Sequence, residues 1–348
     1  MSLTYKDAGV NISEAARAKK LFAARVAATY ENIEGVTVSK FGQFASLVRF
    51  KEFPDVASGY SMDGIGTKLM LAMRMDRLDV VGPCLVAHCV NDMLTAGIRT
   101  RVLLDYVATA GLNAETAAAI VGSIADGCKQ HGIALVGGEL AEMPSVYHEG
   151  EYDLVACVHG MVRADRVIDG SKVAPGDLVY ALLSSGPHCN GYSLLRRVFA
   201  NIVLNEHHDS LGTRTYAEAL LEPSRCYAPI ILPALDAGCD IHGMANVTGG
   251  GIPGNLERVI PDGCCAVLRQ DVIEGRIPPI MRMTQEMGDV PWEDMIKTFN
   301  LGVGFLVVLP PGEAFALVKG SDYEAYPIGE IKEGTGPKIE FDGSWGSF

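Results

Sequence analysis

Short apolar segments that end in glycines and acidic residues recur along this chain, and helical patterns follow them. Residues 56–60 lead into Ser-Met-Asp-Gly-Ile-Gly-Thr-Lys-Leu at 61–69, and residues 133–136 lead into Gly-Gly-Glu at 137–139. This alternation is typical of α/β proteins, which place ligands at the ends of the strands. We therefore predict an α/β fold with mixed sheets and a ligand site at the strand ends.

The turn at residues 61–69 carries a carboxylate and an ammonium group. Its order Gly-Ile-Gly-Thr-Lys lacks the spacing of a Walker phosphate loop, and no third glycine completes a dinucleotide fingerprint. We interpret Asp63 as an oxygen ligand for Mg²⁺ and Lys68 as a point charge for phosphate. An ordinary surface turn is the alternative interpretation.

Chain length predicts two domains. The chain has 348 residues, more than the roughly 250–300 at which a single core stops growing. Residues 163–176 are polar and rich in turn formers, so we predict an N-terminal domain at 1–168 and a C-terminal domain at 169–348. A helix followed by a strand is expected to close the second domain near residue 331.

Charge and cysteine usage narrow the functional classes. A formal net charge of −13 offers no electrostatic footprint for nucleic acid. Phosphate binding would therefore need a divalent metal and a few local donors. The nine cysteines show no metal-binding or disulfide spacing, and no secretory or membrane-spanning segment is evident. We expect a cytoplasmic protein without membrane partners.

Acidic residues in apolar surroundings are the next candidates. Residues 81–97 show helical periodicity, with His88, Asn91, Asp92 and Thr95 on one polar stripe. A solvated helix face is the alternative interpretation. Asp105 lies inside an almost wholly apolar strand, where a carboxylate is costly unless it is paired or bound to metal.

Two glycine-rich loops in the second half each precede a helical segment. Ser-Ser-Gly-Pro-His-Cys-Asn-Gly-Tyr-Ser occupies residues 184–193, and Thr-Gly-Gly-Gly occupies residues 248–251. Hydroxyls, glycines and an amide ahead of a helix are typical of anion sites. His188 would contact phosphate or move a proton, or alternatively only order its loop.

Eight motifs occur in a fixed order along the chain. They are Tyr-Lys-Asp-Ala-Gly-Val at 5–10, Asp-Gly-Ile-Gly-Thr-Lys-Leu at 63–69, Val-Asn-Asp at 90–92, Leu-Asp-Tyr at 104–106, Gly-Gly-Glu at 137–139 with Ala-Glu-Met-Pro at 141–144, the loop at 184–193, Thr-Gly-Gly-Gly at 248–251 and Thr-Phe-Asn at 298–300. Together they resemble the phosphoribosylformylglycinamidine cyclo-ligase (aminoimidazole ribonucleotide synthetase) family. The resemblance runs from end to end.

The resemblance implies an ATP- and Mg²⁺-dependent ring closure in purine biosynthesis. In that family ATP activates the formamide oxygen of formylglycinamidine ribonucleotide, and an amidine nitrogen then attacks to give aminoimidazole ribonucleotide, ADP and phosphate. It also implies two α/β domains, with the N-terminal sheet pairing across a homodimer. The partner is a small-molecule ribonucleotide, and no nucleic acid is involved.

The resemblance assigns roles residue by residue. It implies metal ligation by Asp63, Asp92 and Glu139. ATP binding would involve Lys6, Asp7, Gly64, Gly66, Thr67, Lys68, Asp105, Gly137 and Gly138. Substrate and phosphate binding would involve Ser184, Ser185, Gly186, Thr248, Gly249, Gly250 and Gly251. Catalytic roles would fall to His188, Asn190 and Asn300.

Three positions depart from the family pattern. Leu140 stands where the family has Thr, Ser145 where it has Gly, and Asn246 where it has His. The departures weaken the substrate assignment more than the ATP assignment. The alternatives are a sibling ATP-dependent enzyme, such as a thiamine monophosphate kinase or selenophosphate synthetase, and a non-catalytic nucleotide-binding dimer.

Overall fold

A mixed sheet in the first half of the chain carries several of the predicted ligands. The computed structural model describes residues 2–30, 33–313, 324–343 and 345. Within these residues the first sheet has six strands in the order β1-β2-β3-β6-β4-β5. The strands are β1 (Val36–Val38), β2 (Ser46–Phe50), β3 (Val56–Gly64), β4 (Arg99–Thr109), β5 (Ala134–Glu142) and β6 (Tyr152–Arg163).

The second half forms a second mixed sheet. Its described strands lie in the order β12-β9-β11-β7-β10-β8. They are β7 (Leu178–Leu183), β8 (Gly243–Asn246), β9 (Cys264–Arg269), β10 (Val303–Leu309), β11 (Ala325–Glu333) and β12 (Ile339–Asp342). Pairing is antiparallel except between β4 and β5 and between β9 and β12. The predicted α/β architecture with mixed sheets is therefore confirmed.

Helices pack against one face of the first sheet, and strands β8 and β10 of the second sheet are buried on both faces. The helices are α1 (Ile12–Ala28), α2 (Lys68–Arg74), α3 (Val81–Leu94), α4 (Ala114–Gln130), α5 (Tyr192–Val198), α6 (Tyr216–Leu221), α7 (Ala228–Asp236), α8 (Gly251–Leu256), α9 (Gln270–Glu274), α10 (Pro279–Gly288) and α11 (Trp292–Thr298). None of α1 is buried, whereas nearly all of α3 is.

The polar stripe of α3 is buried rather than solvated. Asn91 Nδ2 donates to the carbonyl oxygen of Arg225 (2.9 Å), and its Oδ1 accepts from the backbone N–H of Tyr227 (2.9 Å). Buried polar groups are stable only when they have such partners. The stripe therefore joins the first half of the chain to the second.

Three local expectations differ from the structure. Asp63 lies inside β3 rather than in the turn, which begins after Gly64. Strand β5 continues through Gly137 and Gly138 to Glu142 instead of stopping before them, because pairing with β4 supplies the hydrogen bonds that two glycines alone would not secure. The helix expected before β11 lies outside the described residues.

The first sheet has one covered face and one uncovered face. In β3, Ala57, Gly59 and Ser61 are buried toward α3, while Tyr60 and Met62 point the other way and are exposed. This alternation follows from the two-residue repeat of a strand. Ligands carried on the α3 side of β3 therefore face the helices and the second half.

The close crossing of α3 and α4 depends on Gly82. A Cβ at this position would lie 2.0 Å from the backbone carbonyl carbon of Ser123. Ser123 Oγ also accepts from the Gly82 N–H at 3.0 Å. The two helices can therefore approach this closely only without a side chain at this point.

We expect Gly82→Ala to lower the free energy of unfolding by about 1–3 kcal/mol, because overpacking forces the two helices apart. The matched control is Gly122→Ala on α4, where an added Cβ meets nothing within 4 Å. The control should raise stability by about 0.5–1 kcal/mol. Urea unfolding followed by circular dichroism measures both, and equal effects would contradict this account of the crossing.

Candidate active site

A cleft of about 870 Å³ lies between the two halves of the chain. Residues from α1, β3 and α3 line one side, and residues from the loops before α5 and α8 line the other. Of the residues predicted from the sequence, the cleft brings together Asp63, Gly64, Gly66, Thr67, Asp92, Asn190, Thr248, Gly249 and Gly250.

Asp63 is held in the cleft by an ion pair with His88. The Nε2 atom of His88 lies 2.7 Å from Asp63 Oδ2. Burial disfavours a charged imidazole, but Asp63 raises the pKa of His88 to about 9. Burial of Asp63 is in turn outweighed by His88 and by the Gly64 N–H, so the pKa of Asp63 is lowered. The pair is therefore ionised at neutral pH.

Asp92 is oriented from the second half of the chain. Asn246 Nδ2 donates to Asp92 Oδ1 at 2.8 Å, and Ser61 Oγ donates to Asp92 Oδ2 at 3.4 Å. Burial raises the pKa of Asp92 to about 6, although His88 and the Asn246 bond oppose this rise. Asn246, one of the three departures from the family pattern, thus fixes the rotamer of a cleft carboxylate.

Asn190, at the cleft, has a side-chain donor without a partner among the described residues. Its Nδ2 atom is buried and has no hydrogen-bond partner among the described residues, and the residue lines the cleft. Such an orphaned amide is uncommon in folded proteins because it carries a desolvation cost. A bound polar ligand would satisfy it.

The glycine loop at 248–251 approaches the protein's own backbone. A Cβ on Gly251 would lie 1.7 Å from the carbonyl oxygen of Ile296 in α11, and Gly251 has φ +61°. The backbone at Gly251 therefore packs directly against the backbone of α11, which leaves no room for a side chain. Thr248, Gly249 and Gly250 still line the cleft, whereas Gly251 does not.

Two basic residues in the cleft had no sequence signal. Lys19 on α1 and Arg258 beyond α8 both line it, and the Arg258 guanidinium lies 4.0 Å above the centroid of the Phe44 ring. Each comes from a segment without a recognisable motif. His88 was detectable, since it lies four residues before Asp92 on one helical face.

Lys68 does not line the cleft. Its side chain is fully buried, and Nζ donates to the carbonyl oxygens of His188 (2.8 Å) and Glu222 (2.7 Å). The ammonium also lies 5.3 Å from the centroid of the Tyr192 ring. In this arrangement Lys68 ties α2 to the second half, and contact with phosphate stays a prediction.

His188 is buried behind the cleft wall. It has φ +58°, and its Nε2 accepts from the Ser185 N–H at 3.4 Å. Burial, helped by the nearby charge of Lys68, lowers the pKa of His188 to about 3. The imidazole is therefore neutral at physiological pH, and a catalytic role for it stays a prediction.

The loop residues around His188 bond to one another. Asn300 Nδ2 donates to the Gly186 carbonyl at 2.9 Å, and its Oδ1 accepts from Ser184 Oγ at 3.1 Å. Ser185 Oγ donates to the Pro223 carbonyl at 2.6 Å. None of Ser184, Ser185, Gly186 and Asn300 lines the cleft.

The remaining predicted ATP and metal residues lie elsewhere. Asp105, Gly137, Gly138 and Glu139 are on β4 and β5, with Asp105 opposite Gly138. Lys6 and Asp7 lie in the turn before α1, where Thr4 bonds to the Asp7 carboxylate. Within the described residues, no three acidic, histidine or cysteine side chains converge as a metal-binding group.

Family models match both halves of the chain. The model described as AIR synthase related protein, N-terminal domain, matches residues 45–162, and the C-terminal domain model matches residues 174–342. The chain belongs to the AIR synthase related protein family. Its cleft lies between the segments that these two family domains cover.

Relatives in this family match over almost their whole length. Phosphoribosylformylglycinamidine cyclo-ligase of Anaeromyxobacter sp. (strain Fw109-5) is 42% identical over 341 residues, covering 97% of this chain and 98% of the relative. The enzyme of that name from Alkaliphilus oremlandii (strain OhILAs) is 38% identical, covering 96% and 98%.

Solved structures share the AIR synthase related fold at lower identity. A chain of the HypE-HypF complex aligns with a TM-score of 0.63 at 16% identity, covering 94% of this chain and 97% of that chain. Thiamine-monophosphate kinase from Stenotrophomonas maltophilia K279a aligns with a TM-score of 0.61 at 17% identity, covering 92% and 96%. These similarities show the fold alone.

Length and apolar composition decide whether a helix can cross a bilayer. A membrane-spanning helix needs about 20 predominantly apolar residues. Among the described helices, none has the length and apolar character to cross a membrane.

The low pKa of His188 makes the stability of the protein pH-dependent. Above pH ~6.5 the histidine is neutral in both the folded and the unfolded chain. As the pH falls toward 3, the unfolded chain takes up the proton first, so stability is lost. Between pH 7 and pH 5, we expect the free energy of unfolding to fall by about 2 kcal/mol less in His188→Asn than in the wild type.

Urea unfolding at the two pH values checks this difference, with the exposed His148→Asn as the control that should follow the wild type. Asn is the replacement because it tolerates positive φ. An identical loss of stability in His188→Asn and the wild type would mean that His188 is protonated in the folded protein.

Proposed function

We propose that this chain is an ATP-dependent cyclo-ligase that closes the imidazole ring of aminoimidazole ribonucleotide in purine biosynthesis. The observation that carries the proposal is the 42% identity to a named phosphoribosylformylglycinamidine cyclo-ligase, which extends over 97% of this chain and 98% of the relative. The interdomain cleft supports it, since it contains Asp92 and the ion-paired Asp63.

The reaction joins two atoms of one substrate. The formamide oxygen of formylglycinamidine ribonucleotide takes the γ-phosphoryl group of ATP and becomes a leaving group. An amidine nitrogen then attacks the activated carbon, and phosphate departs. Phosphoryl transfer of this kind depends mainly on positioning and charge neutralisation. The protein must therefore hold the nucleotide and the formamide in line and exclude water.

The Mg²⁺ that neutralises phosphate charge would be held by Asp63 and Asp92. Proteins bind this ion through one or two carboxylates together with substrate phosphates, so two cleft carboxylates fit it without a third protein ligand. Asp63 is ionised because of His88. The hydrogen bond from Asn246 orients Asp92 through its Oδ1. The Oδ2 atom has only a long contact with Ser61 and is therefore available to the metal.

Arg258 and Lys19 would supply the positive charge for the phosphates. Both line the same cleft as the two carboxylates, and the charge of Asp92 acts on the half-buried Arg258. A chain with net charge −13 attracts no polyphosphate through its overall field. Local cations at the cleft therefore carry the electrostatic attraction.

The substrate side of the cleft would be the loops before α5 and α8. The free Nδ2 of Asn190 is suited to donate to the formamide or to a ribose or phosphate oxygen. Thr248, Gly249 and Gly250 form the adjacent wall. His188 and Asn300 act from behind this wall as positioning residues, since their polar atoms bond within the loop.

The uncovered face of the first sheet is proposed as the homodimer interface. It carries Met62 (69% exposed), Met161 (50%), Leu104 (44%) and Tyr60 (39%). Met62, Cys157 and Leu104 form one cross-strand row. Adjacent exposed apolar side chains of this kind are typical of an interaction surface.

The proposed dimer also accounts for the predicted ligands outside the cleft. Glu139 lies opposite Tyr106, at the edge of this sheet. We propose that Asp105, Gly137, Gly138 and Glu139 belong to a nucleotide site near the subunit interface. The nine free thiols, eight of them buried, agree with a reducing cytoplasm as the location.

The first test is ADP release by the purified protein with Mg²⁺ and ATP, with and without formylglycinamidine ribonucleotide. Equal amounts of ADP and aminoimidazole ribonucleotide are the expected result. ATP binding without any imidazole product would refute the cyclo-ligase proposal while leaving the family assignment intact.

Asp92→Asn should reduce turnover by at least about a hundredfold, because the neutral amide lacks the negative charge that binds Mg²⁺. The substitution leaves the shape of the side chain unchanged. The variant keeps an oxygen for the Asn246 bond, so the fold should persist. Asp126→Asn, an exposed substitution on α4, is the control. Near-normal turnover in Asp92→Asn would remove Asp92 from the metal site.

Leu104→Asp should convert the dimer into a monomer, because a charge in an apolar interface is not compensated there. Sedimentation equilibrium measures the mass, and the assay above measures turnover. Val203→Asp, at a residue 60% exposed in the second half, should leave the mass unchanged. A dimeric Leu104→Asp protein would place the interface elsewhere.

A further inference from the structure

Two cysteines from the two halves of the chain meet at the wall of the cleft. Cys84 lies in α3, and Cys189 lies in the loop before α5. Cys189 Sγ donates to the Cys84 carbonyl oxygen at 3.8 Å, and both sulfurs contact Ser224. The contact spans 105 residues of sequence.

The surroundings of the pair stabilise a thiolate. Lys68 is fully buried, and its ammonium interacts with the sulfur of Cys84 and with the charge of Cys189. Ser224 lies within hydrogen-bond distance of both thiols, with its Oγ 3.3 Å from Cys189 Sγ and its N–H donating to Cys84 Sγ at 3.3 Å. A buried cation and such donors favour the charged form of sulfur.

The two thiols differ in access and in acidity. Cys189 lines the cleft and is 8% exposed, whereas Cys84 is completely buried. The adjacent Cys84 side chain lowers the pKa of Cys189 to about 7, with help from Lys68 and against the effect of burial. Burial raises the pKa of Cys84. A reagent in the cleft therefore reaches the more acidic thiol of Cys189 first, and the buried thiol of Cys84 lies behind it.

We propose that Cys189 and Cys84 form a thiol-modification site for low-molecular-weight disulfides that enter the cleft. This arrangement of an accessible attacking thiol and a buried resolving thiol is separate from the proposed ligase chemistry. It also involves Lys68, whose buried ammonium interacts with both thiols and does not line the cleft.

The exchange takes place in two balanced steps. The Cys189 thiolate attacks one sulfur of the small disulfide, so that a mixed disulfide forms and one small thiolate leaves with the proton that Cys189 has lost. Cys84 then loses its proton and attacks the Cys189 sulfur, which releases the second small thiol. The protein is oxidised by two electrons, and the small disulfide is reduced to two thiols.

The product is a Cys84–Cys189 disulfide that links the two halves across the cleft wall. Excess small thiol reverses both steps, so the bond is transient in a reducing compartment. Cys157 is the one cysteine of the nine that is not buried. It lies on the uncovered face of the first sheet, outside the cleft, and lacks a partner thiol among the contacts above.

The test treats the reduced full-length protein with 2-hydroxyethyl disulfide at pH 8 and maps its peptides by mass spectrometry. A Cys157→Ser background removes reaction at the one thiol that is not buried. The expected result is a cross-link between the peptides that contain residues 84 and 189, formed with the loss of two hydrogens. Reaction at Cys189 should be at least about tenfold faster than at the buried Cys128.

Single substitutions separate the two roles in the same background. Cys84→Ser should accumulate a stable mixed disulfide on Cys189, and Cys189→Ser should leave Cys84 unmodified over the same time. Cys128→Ser is the matched control and should cross-link like the parent. These readouts require no enzymatic activity, so they hold whether or not the proposed function is correct.

Three results would overturn the proposal. They are a parent protein without the cross-link, modification of Cys84 in the Cys189→Ser protein, and failure of the Cys84→Ser protein to retain the adduct. If a substituted protein fails to fold, the peptide map of the parent still decides, since the cross-link either forms there or does not.

Discussion

The structure depends on burying a row of polar side chains on α3 without leaving them unpaired. His88 pairs with Asp63, Asn91 binds the backbone on either side of Cys226, and Asp92 receives a hydrogen bond from Asn246. Each of these groups would be costly in an apolar interior if its partner were removed. The two halves therefore have to dock in one arrangement, and the cleft takes its shape from that docking.

This constraint also explains how the site carboxylates differ. Asp63 and Asp92 both interact with His88, yet the pKa of Asp63 is lowered and that of Asp92 is raised. Asp63 has the direct ion pair, whereas Asp92 is buried and has a neutral amide as its nearest donor. Helix α3 thus keeps the β3 carboxylate ionised through His88, and its own carboxylate, Asp92, is held in place by a hydrogen bond.

Short apolar runs marked strand positions, since β3 begins at Val56 and β5 at Ala134, within the segments expected at residues 56–60 and 133–136. The site was only partly predictable. Motif spacing identified Asp63 and Asp92, but it does not determine the direction of a side chain, so Lys68 and His188 were expected in the cleft and lie behind its wall. Arg258 and Lys19 reach the cleft through tertiary packing, and no local pattern marks such residues.

Helix α1 has no buried residue, yet Ile12, Ala16 and Lys19 line the cleft. Its own hydrogen bonds and a good N-terminal cap at Asn11 preserve it as a helix, while its contacts with either core are few. It can therefore lift away as a separate local unit without opening the sheets. Small molecules can therefore enter the cleft through a local movement of α1, without global unfolding.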